Sequence, residues 1–337
     1  MSIVDFDPLD AYTRGLEGAR KDPRADEVFA DHILRYGGDP NGSNVCYDWG
    51  LENVGAGRLT LLFPILEQVF PGCLPGAAQL VGDCVAAACS RALATTIACE
   101  VVDGKPDEVT GHIEGAPELP KAGIEEFPIA QESLYWHRGF ASDGWVCSEA
   151  AQVACEKGFL IRKPYPSLKL DLTTYTKANI RRYGVEPPEA NILAETKKHI
   201  ARTATFLKTR EQVRDMLAAG FGCFNCSSMG FERVRGEWGV SRQVGRWAHA
   251  QALISFDDRP ETHKKFGQAL VLWCNSWSAW NSGDDRIYND PLGRRIPPGC
   301  FWALADTIDR CGSIIALSSV AGWPKRRIST WGAEGRV

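Results

Sequence analysis

The stretch "QLVGDCVAAACSRAL", residues 79–93, decides the fold. A glutamine, a glycine, an acid and a cysteine stand ahead of an alanine-rich run. From Cys84 onward, "CVAAACSRALATTIAC" is apolar on nearly every face. That pattern predicts a helix from about 83 to 99, buried all round and central to its domain. Asp83 is a residue type that caps helix N-termini. Cys84 then falls in the first turn, where the helix dipole favours a thiolate. On its own, a cysteine in such a run reads first as core filling. The chain holds twelve cysteines, and Cys89, Cys99, Cys155 and Cys274 sit in similar apolar surroundings.

The chain of 337 residues is 44% hydrophobic and 24% charged, ordinary for a folded globular protein. A formal net charge of -4 gives no electrostatic reason to expect nucleic acid or an anionic membrane as partner. The basic cluster "PKRRIST" near the end is short and reads as a solvated tail. No apolar run has the length of a membrane-spanning helix. The first residues, "MSIVDFDPLDAYTRGLEGARKDPRADE", are acidic and amphipathic rather than a signal peptide. These features imply a cytoplasmic location, and the cysteines do not space out as a secreted disulfide framework. Cys223 and Cys226 form a C-x-x-C pair, a spacing shared by redox pairs and zinc half-sites. No second ligand pair accompanies it, so it reads as strand packing. No metal or organic cofactor is implied.

Helical signals dominate the first part. "DPRADEVFADHILRYGG" runs from an Asp-Pro start to a double-glycine stop, and "GRLTLLFPILEQVF" is apolar at helical spacing, with Pro64 as a kink or a new start. Residues 103–123 read as a surface excursion. "QESLYWHRG" and "CSEAAQVACEKGF" predict two short helices, the second ended by Gly158, and 175–207 has β character. "TREQVRDMLAAG" is a clean amphipathic helix, capped by Thr209 and stopped at Gly220. The period then changes: "AHAQALISF" and "QALVLWCNSW" read as strands joined by the charged loop "DDRPETHKKFG". Helices first and strands second predict an α+β architecture.

Among six histidines, His32 and His199 lie in helical or charged contexts, and His112, His137 and His263 in polar segments. Only His249 heads an apolar strand. In "LVLWCNSWSAWNSG", residues 270–283, a strand runs into Asn275, followed by Trp277 and Trp280. An asparagine oxygen accepts one ring N–H of a histidine and aims the other nitrogen at a thiol; tryptophan beside that bond keeps water away. Each residue taken singly has an ordinary packing explanation. Together, Cys84, His249 and Asn275 supply the nucleophile, base and orienting amide of a thiol acyl-transfer site.

In these residues the chain resembles the papain-like cysteine peptidases. Gln79 and Gly82-Asp83-Cys84 stand where that family has its glutamine and Gly-Ser-Cys. His249-Ala250 opens a strand as the family's histidine does, and Asn275-Ser276-Trp277 matches its Asn-Ser-Trp, with Trp280 after it. "FPIAQESLYWH" and "CSEAAQVACEKGF" resemble the family's second and third helices. The resemblance implies a two-lobed fold, with a helical left lobe around the nucleophile helix and an antiparallel, barrel-like right lobe. It also implies cleavage of peptide or isopeptide bonds in a peptide or protein substrate by Cys84, His249 and Asn275, with Gln79 in the oxyanion hole. On this resemblance a peptidase domain is expected over 71–320, preceded by a mainly helical extension, 1–70, and followed by a tail, 321–337.

Departures accompany the match. Gln79 is one residue closer to the cysteine than in the family. Val85 replaces an aromatic, and Asp83 places a negative charge where ionisation of Cys84 is needed. The spacing from Cys84 to His249 exceeds the ~130–150 residues of the usual signature. Residues 1–70 match no inhibitory pro-segment pattern and resemble a latching arm. These departures motivate a second expectation: a papain-fold structural or binding subunit of a large assembly, such as a virion, whose site is idle and whose contacts run through residues 1–70.

Overall fold

In a computed structural model of the chain, the described residues are 19, 51–73, 76–102, 128–201, 203–233, 235–278, 280 and 296–318. The helix expected at 22–38, the excursion at 103–123 and the tail at 321–337 lie outside them.

The described chain begins its regular structure with strand β1, Leu59–Leu61, and helix α1, Phe63–Val69. The helical reading of "GRLTLLFPILEQVF" thus holds only from Phe63. Leu59 to Leu61 are drawn into the sheet by backbone pairing, and Pro64 starts the helix in the first turn, where its missing N–H costs nothing. Helix α2, Cys84–Val102, follows. It is buried along nearly its whole length, as its mostly apolar pattern requires, with Arg91 and Glu100 the charged residues within it. On one side it packs against α1, α3 (Gln131–Tyr135) and α4 (Cys147–Glu156); on the other it meets the sheet. Gly158 adopts a positive φ of 78° just past α4, the left-handed stop that glycine permits.

Strand β2, Ile129–Ala130, pairs with β3, Leu160–Ile161, and β4, Pro164–Tyr165, pairs with β5, Leu170–Asp171. The segment expected to have β character is mostly not strand. It holds the short helices α5, Lys177–Ile180, and α6, Ala190–Thr196, and only β6, Thr203–Leu207, is extended. Thr176 caps α5 by accepting the Asn179 N–H, a local bond that outweighs the weak propensity of its neighbours. Helix α7, Arg210–Ala218, has the expected cap at Thr209, and Gln212 completes the capping box.

The right lobe is a seven-stranded antiparallel sheet, six strands in the order β10-β9-β8-β7-β11-β6 and the seventh, β1, paired to β8 off that path. Here β7 is Cys223–Ser227, β8 His249–Asp257, β9 Leu270–Cys274, β10 Cys300–Leu304 and β11 Ser313–Ser318. The sheet is open, with β10 and β6 as edges. Strand β8 is its spine. β7 pairs with His249 to Leu253, and β1 takes over along Ser255 to Asp257. The expected loop "DDRPETHKKFG" contains helix α8, Pro260–Phe266. Asp257 binds the Arg259 guanidinium and the Thr262 hydroxyl at its start, and Gly267 closes it with φ 77°.

A disulfide joins Cys147 to Cys226, tying α4 to β7 across the two lobes. This corrects the reading of Cys226 as half of a C-x-x-C packing pair. Its partner lies 79 residues away, beyond any local spacing rule, while Cys223 keeps its thiol and is buried. Among the described residues no cluster of three or more potential ligands could hold a metal, and no helix is long and apolar enough to cross a membrane.

Candidate active site

Cys84 is the first residue of α2, lies outside any disulfide and is fully buried. Its helix position gives it the unpaired N–H groups of a first turn. His249 is the first residue of β8, and α2 packs directly on that strand. Asn275 follows the last residue of β9 and is held by its own N–H to the Gly299 carbonyl at 2.9 Å. The antiparallel pairing of the consecutive strands β8 and β9, which sets the start of one beside the end of the other, is therefore what brings imidazole and amide together.

His249 Nε2 lies 2.7 Å from Asn275 Oδ1. That same oxygen accepts the Ser276 N–H at 2.7 Å, so it is an acceptor and the ring nitrogen facing it must donate. The tautomer is fixed: Nε2 carries the proton and Nδ1 keeps its lone pair. Nδ1 has no hydrogen-bond partner, so no thiol–imidazole hydrogen bond is made in this state. Such bonds often form only once substrate is seated. Burial, opposed by the Asn275 bond and helped by the positive charge of Arg91, pushes His249 down to about 3. The ring is a neutral base throughout the ordinary pH range. Trp277 stacks on it with ring centroids 4.2 Å apart, and Trp247 packs on Trp277 in turn, so the bond to Asn275 is screened from water.

Gln79 is joined to the same motif. Its N–H donates to the Ser276 carbonyl at 2.8 Å, and its side-chain oxygen accepts the Ser276 hydroxyl. Its Nε2 donates to the Val81 carbonyl at 2.8 Å, an oxygen that also accepts the Asp83 N–H. A tight turn therefore absorbs the one-residue shortening between Gln79 and Cys84.

Asp83 is not the side-chain cap expected of it. Its carbonyl starts the helix by accepting the Ala87 N–H, but its carboxylate turns away. Oδ2 accepts from Gln131 Nε2 at 2.6 Å and from the Tyr175 hydroxyl at 2.9 Å, while Oδ1 has no partner. The Tyr175 oxygen in turn accepts the Leu80 N–H. Burial raises the carboxyl to about 7 against these two bonds.

Sequence reasoning did not find Gln131, Tyr175 or Arg91. Arg91 lies two turns along α2 from Cys84, buried, with Nη2 on the Ala77 carbonyl. Burial pushes the Cys274 thiol up, but a bond from Cys300 and the Arg91 guanidinium bring it below its ordinary value. A charged residue inside an otherwise apolar helix was the available signal. The other described histidines are elsewhere: His199 stacks on Phe159, His263 meets Asp258 at the surface, and burial lowers His137 to about 4. His32 and His112 lie outside the described residues.

An all-antiparallel open sheet packed on a buried helix, with a cysteine at its head and a His–Asn pair at the facing strand ends, defines the papain-like two-lobed α+β fold of the cysteine proteases. Among solved structures the chain is similar to xylellain, a cysteine protease from Xylella fastidiosa, at 14% identity and a TM-score of 0.54, over 91% of this chain and 97% of that one. It is also similar to digestive procathepsin L2 from Tenebrio molitor larval midgut, at 14% identity and a TM-score of 0.47, over 92% and 87% of the two chains. No family model matches the sequence, and no curated relative does. The chain is a divergent bearer of this fold.

Proposed function

We propose that the protein is a thiol hydrolase that cleaves peptide or isopeptide bonds through Cys84, His249 and Asn275. The observation that carries this reading is the fixed tautomer of His249, with Nε2–H given to Asn275 and Nδ1 left basic beside the nucleophile helix. Nδ1 takes the Cys84 proton as the sulfur attacks the carbonyl carbon. The oxyanion forms against the Cys84 N–H and the second N–H of the Gln79 side-chain amide, whose first is held by the Val81 carbonyl; one such donor is worth about 10²–10³ in rate. The imidazolium then gives its proton to the leaving amine. Water, deprotonated by Nδ1, attacks the thioester, and the acid product leaves as the Cys84 thiol is restored.

That a peptide is the substrate is supported by Ala19. It forms a parallel bridge with Trp145 of the left lobe, and its N–H donates to the Ala248 carbonyl of the right lobe at 3.3 Å. Main chain thus sits across the cleft one residue from His249. A peptide-like thiol electrophile is expected to modify Cys84 alone, and His249→Ala to abolish the labelling, as read by mass spectrometry. Modification spread over several cysteines, or unaffected by His249→Ala, rejects the hydrolase. The full burial of both Cys84 and His249 favours a second reading, in which the site is idle and the chain serves as a structural subunit joined through residues 1–70. Complete absence of labelling in a folded protein that assembles would support it.

A further inference from the structure

Ala19 is held from both sides of the cleft, by Trp145 and by Ala248. Each of these backbone positions leads, two residues on, to the same feature. Cys147 is two residues past Trp145. Cys226 is the register partner of Ala250, two residues past Ala248. The Cys147–Cys226 disulfide, with its Cα atoms 6.1 Å apart, therefore spans the gap between the lobes alongside the line that a bound peptide follows. Ala19 and Cys226 are both half-buried and pack against the main apolar core, which spans both lobes and includes Trp145, Cys147, Trp247 and Ala250.

We infer that the Cys147–Cys226 cystine is a specificity-determining wall of the cleft, restricting the peptide residue held between Trp145 and Ala248 to small side chains. A cystine is short, apolar and has no free rotor with which to retreat from a larger group. The occupant present, Ala19, has a single methyl. Glycine, alanine and serine fit; leucine and phenylalanine meet the two sulfurs. The inference rests on the hydrolase reading and adds to it the substrate class.

The test is cleavage of a peptide library, randomised at this position, by the full-length protein and by its Cys147→Ala/Cys226→Ala variant. The wild type is expected to favour Gly, Ala and Ser. The variant is expected to gain about tenfold or more in kcat/KM for Leu and Phe peptides relative to Ala, the scale of a pocket that gains room for extra methylenes. A wild-type preference for large residues, or an unaltered profile in the variant, overturns the inference and leaves the hydrolase standing. A protein that cleaves no peptide and whose Cys84 takes no electrophile overturns both. Should the double variant not fold, Ala19→Trp in the intact chain decides. It is expected to leave the cleft and raise the rate of Cys84 labelling several-fold, while Ala19→Ser does not; equal rates for the two overturn the inference.

Discussion

Asp83 lies one residue ahead of the nucleophile, completely buried, with one oxygen shared by Gln131 and Tyr175 and the other unpartnered. Its carboxyl is raised from 3.8 to about 7 by burial. The folded state therefore holds a proton that the unfolded state releases, so this group's contribution is greatest below pH 3.8 and is lost as pH rises through 7. Asp83→Asn keeps an acceptor for both partners but cannot ionise. Its stability relative to wild type is expected to improve by on the order of 2 kcal/mol between pH 5 and pH 8, measured by urea unfolding at each pH. No such relative gain means that the carboxylate is already ionised at pH 5. His249 and Asn275 were legible in the sequence because each stands at the end of an apolar run beside a distinctive neighbour. The role of Asp83 was not, since its partners are 48 and 92 residues distant. A capping residue type one position before a helix looks the same whether or not it caps.

At the scale of elements, the contact that sets the site is the approach of α2 to the sheet. Gly222, just ahead of β7, donates its N–H to the Thr96 hydroxyl at 3.0 Å, and a Cβ there would lie 2.4 Å from the Ala92 carbonyl oxygen. Backbone meets backbone with no flexible side chain to yield. Gly222→Ala is expected to cost about 1–3 kcal/mol by overpacking, seen as a lower urea midpoint. It should also lower activity, because the strand that moves is paired with His249. Elements with strong local signals were readable: α2 from its apolar, alanine-rich run, α7 from Thr209, β8 and β9 from their apolar stretches. β1 was taken for helix and α8 for loop. Three residues carry too little periodicity to show their partner, and a charged seven-residue helix is defined by Pro260 and Gly267 more than by any apolar face.

For the whole molecule, the two lobes are joined, among the described residues, by helix packing and by one disulfide. Closing a chain segment of 79 residues restricts the unfolded ensemble by about 4 kcal/mol in the loop-entropy account. Adding a reductant is therefore expected to lower the thermal midpoint of the wild type and leave that of Cys147→Ala/Cys226→Ala unmoved. Equal shifts in both would show that the bond is not formed in solution. The two-lobed organisation was legible because motifs near both ends of the domain stand in order along the chain. The bond was not, because pairing between lobes depends on how α4 meets β7 in space.

Strand β1 has one more implication. Leu59 to Leu61 carry ladder bonds to the last third of β8, and α1 lies against the nucleophile helix, so the stretch 51–70 is built into the same core as the domain that follows it. Any proteolytic trimming that frees the cleft must cut upstream of Leu51. A protease that cut at residue 70 and released the upstream piece would unzip the far end of β8 and bare one flank of the nucleophile helix, leaving a damaged core, not a matured one.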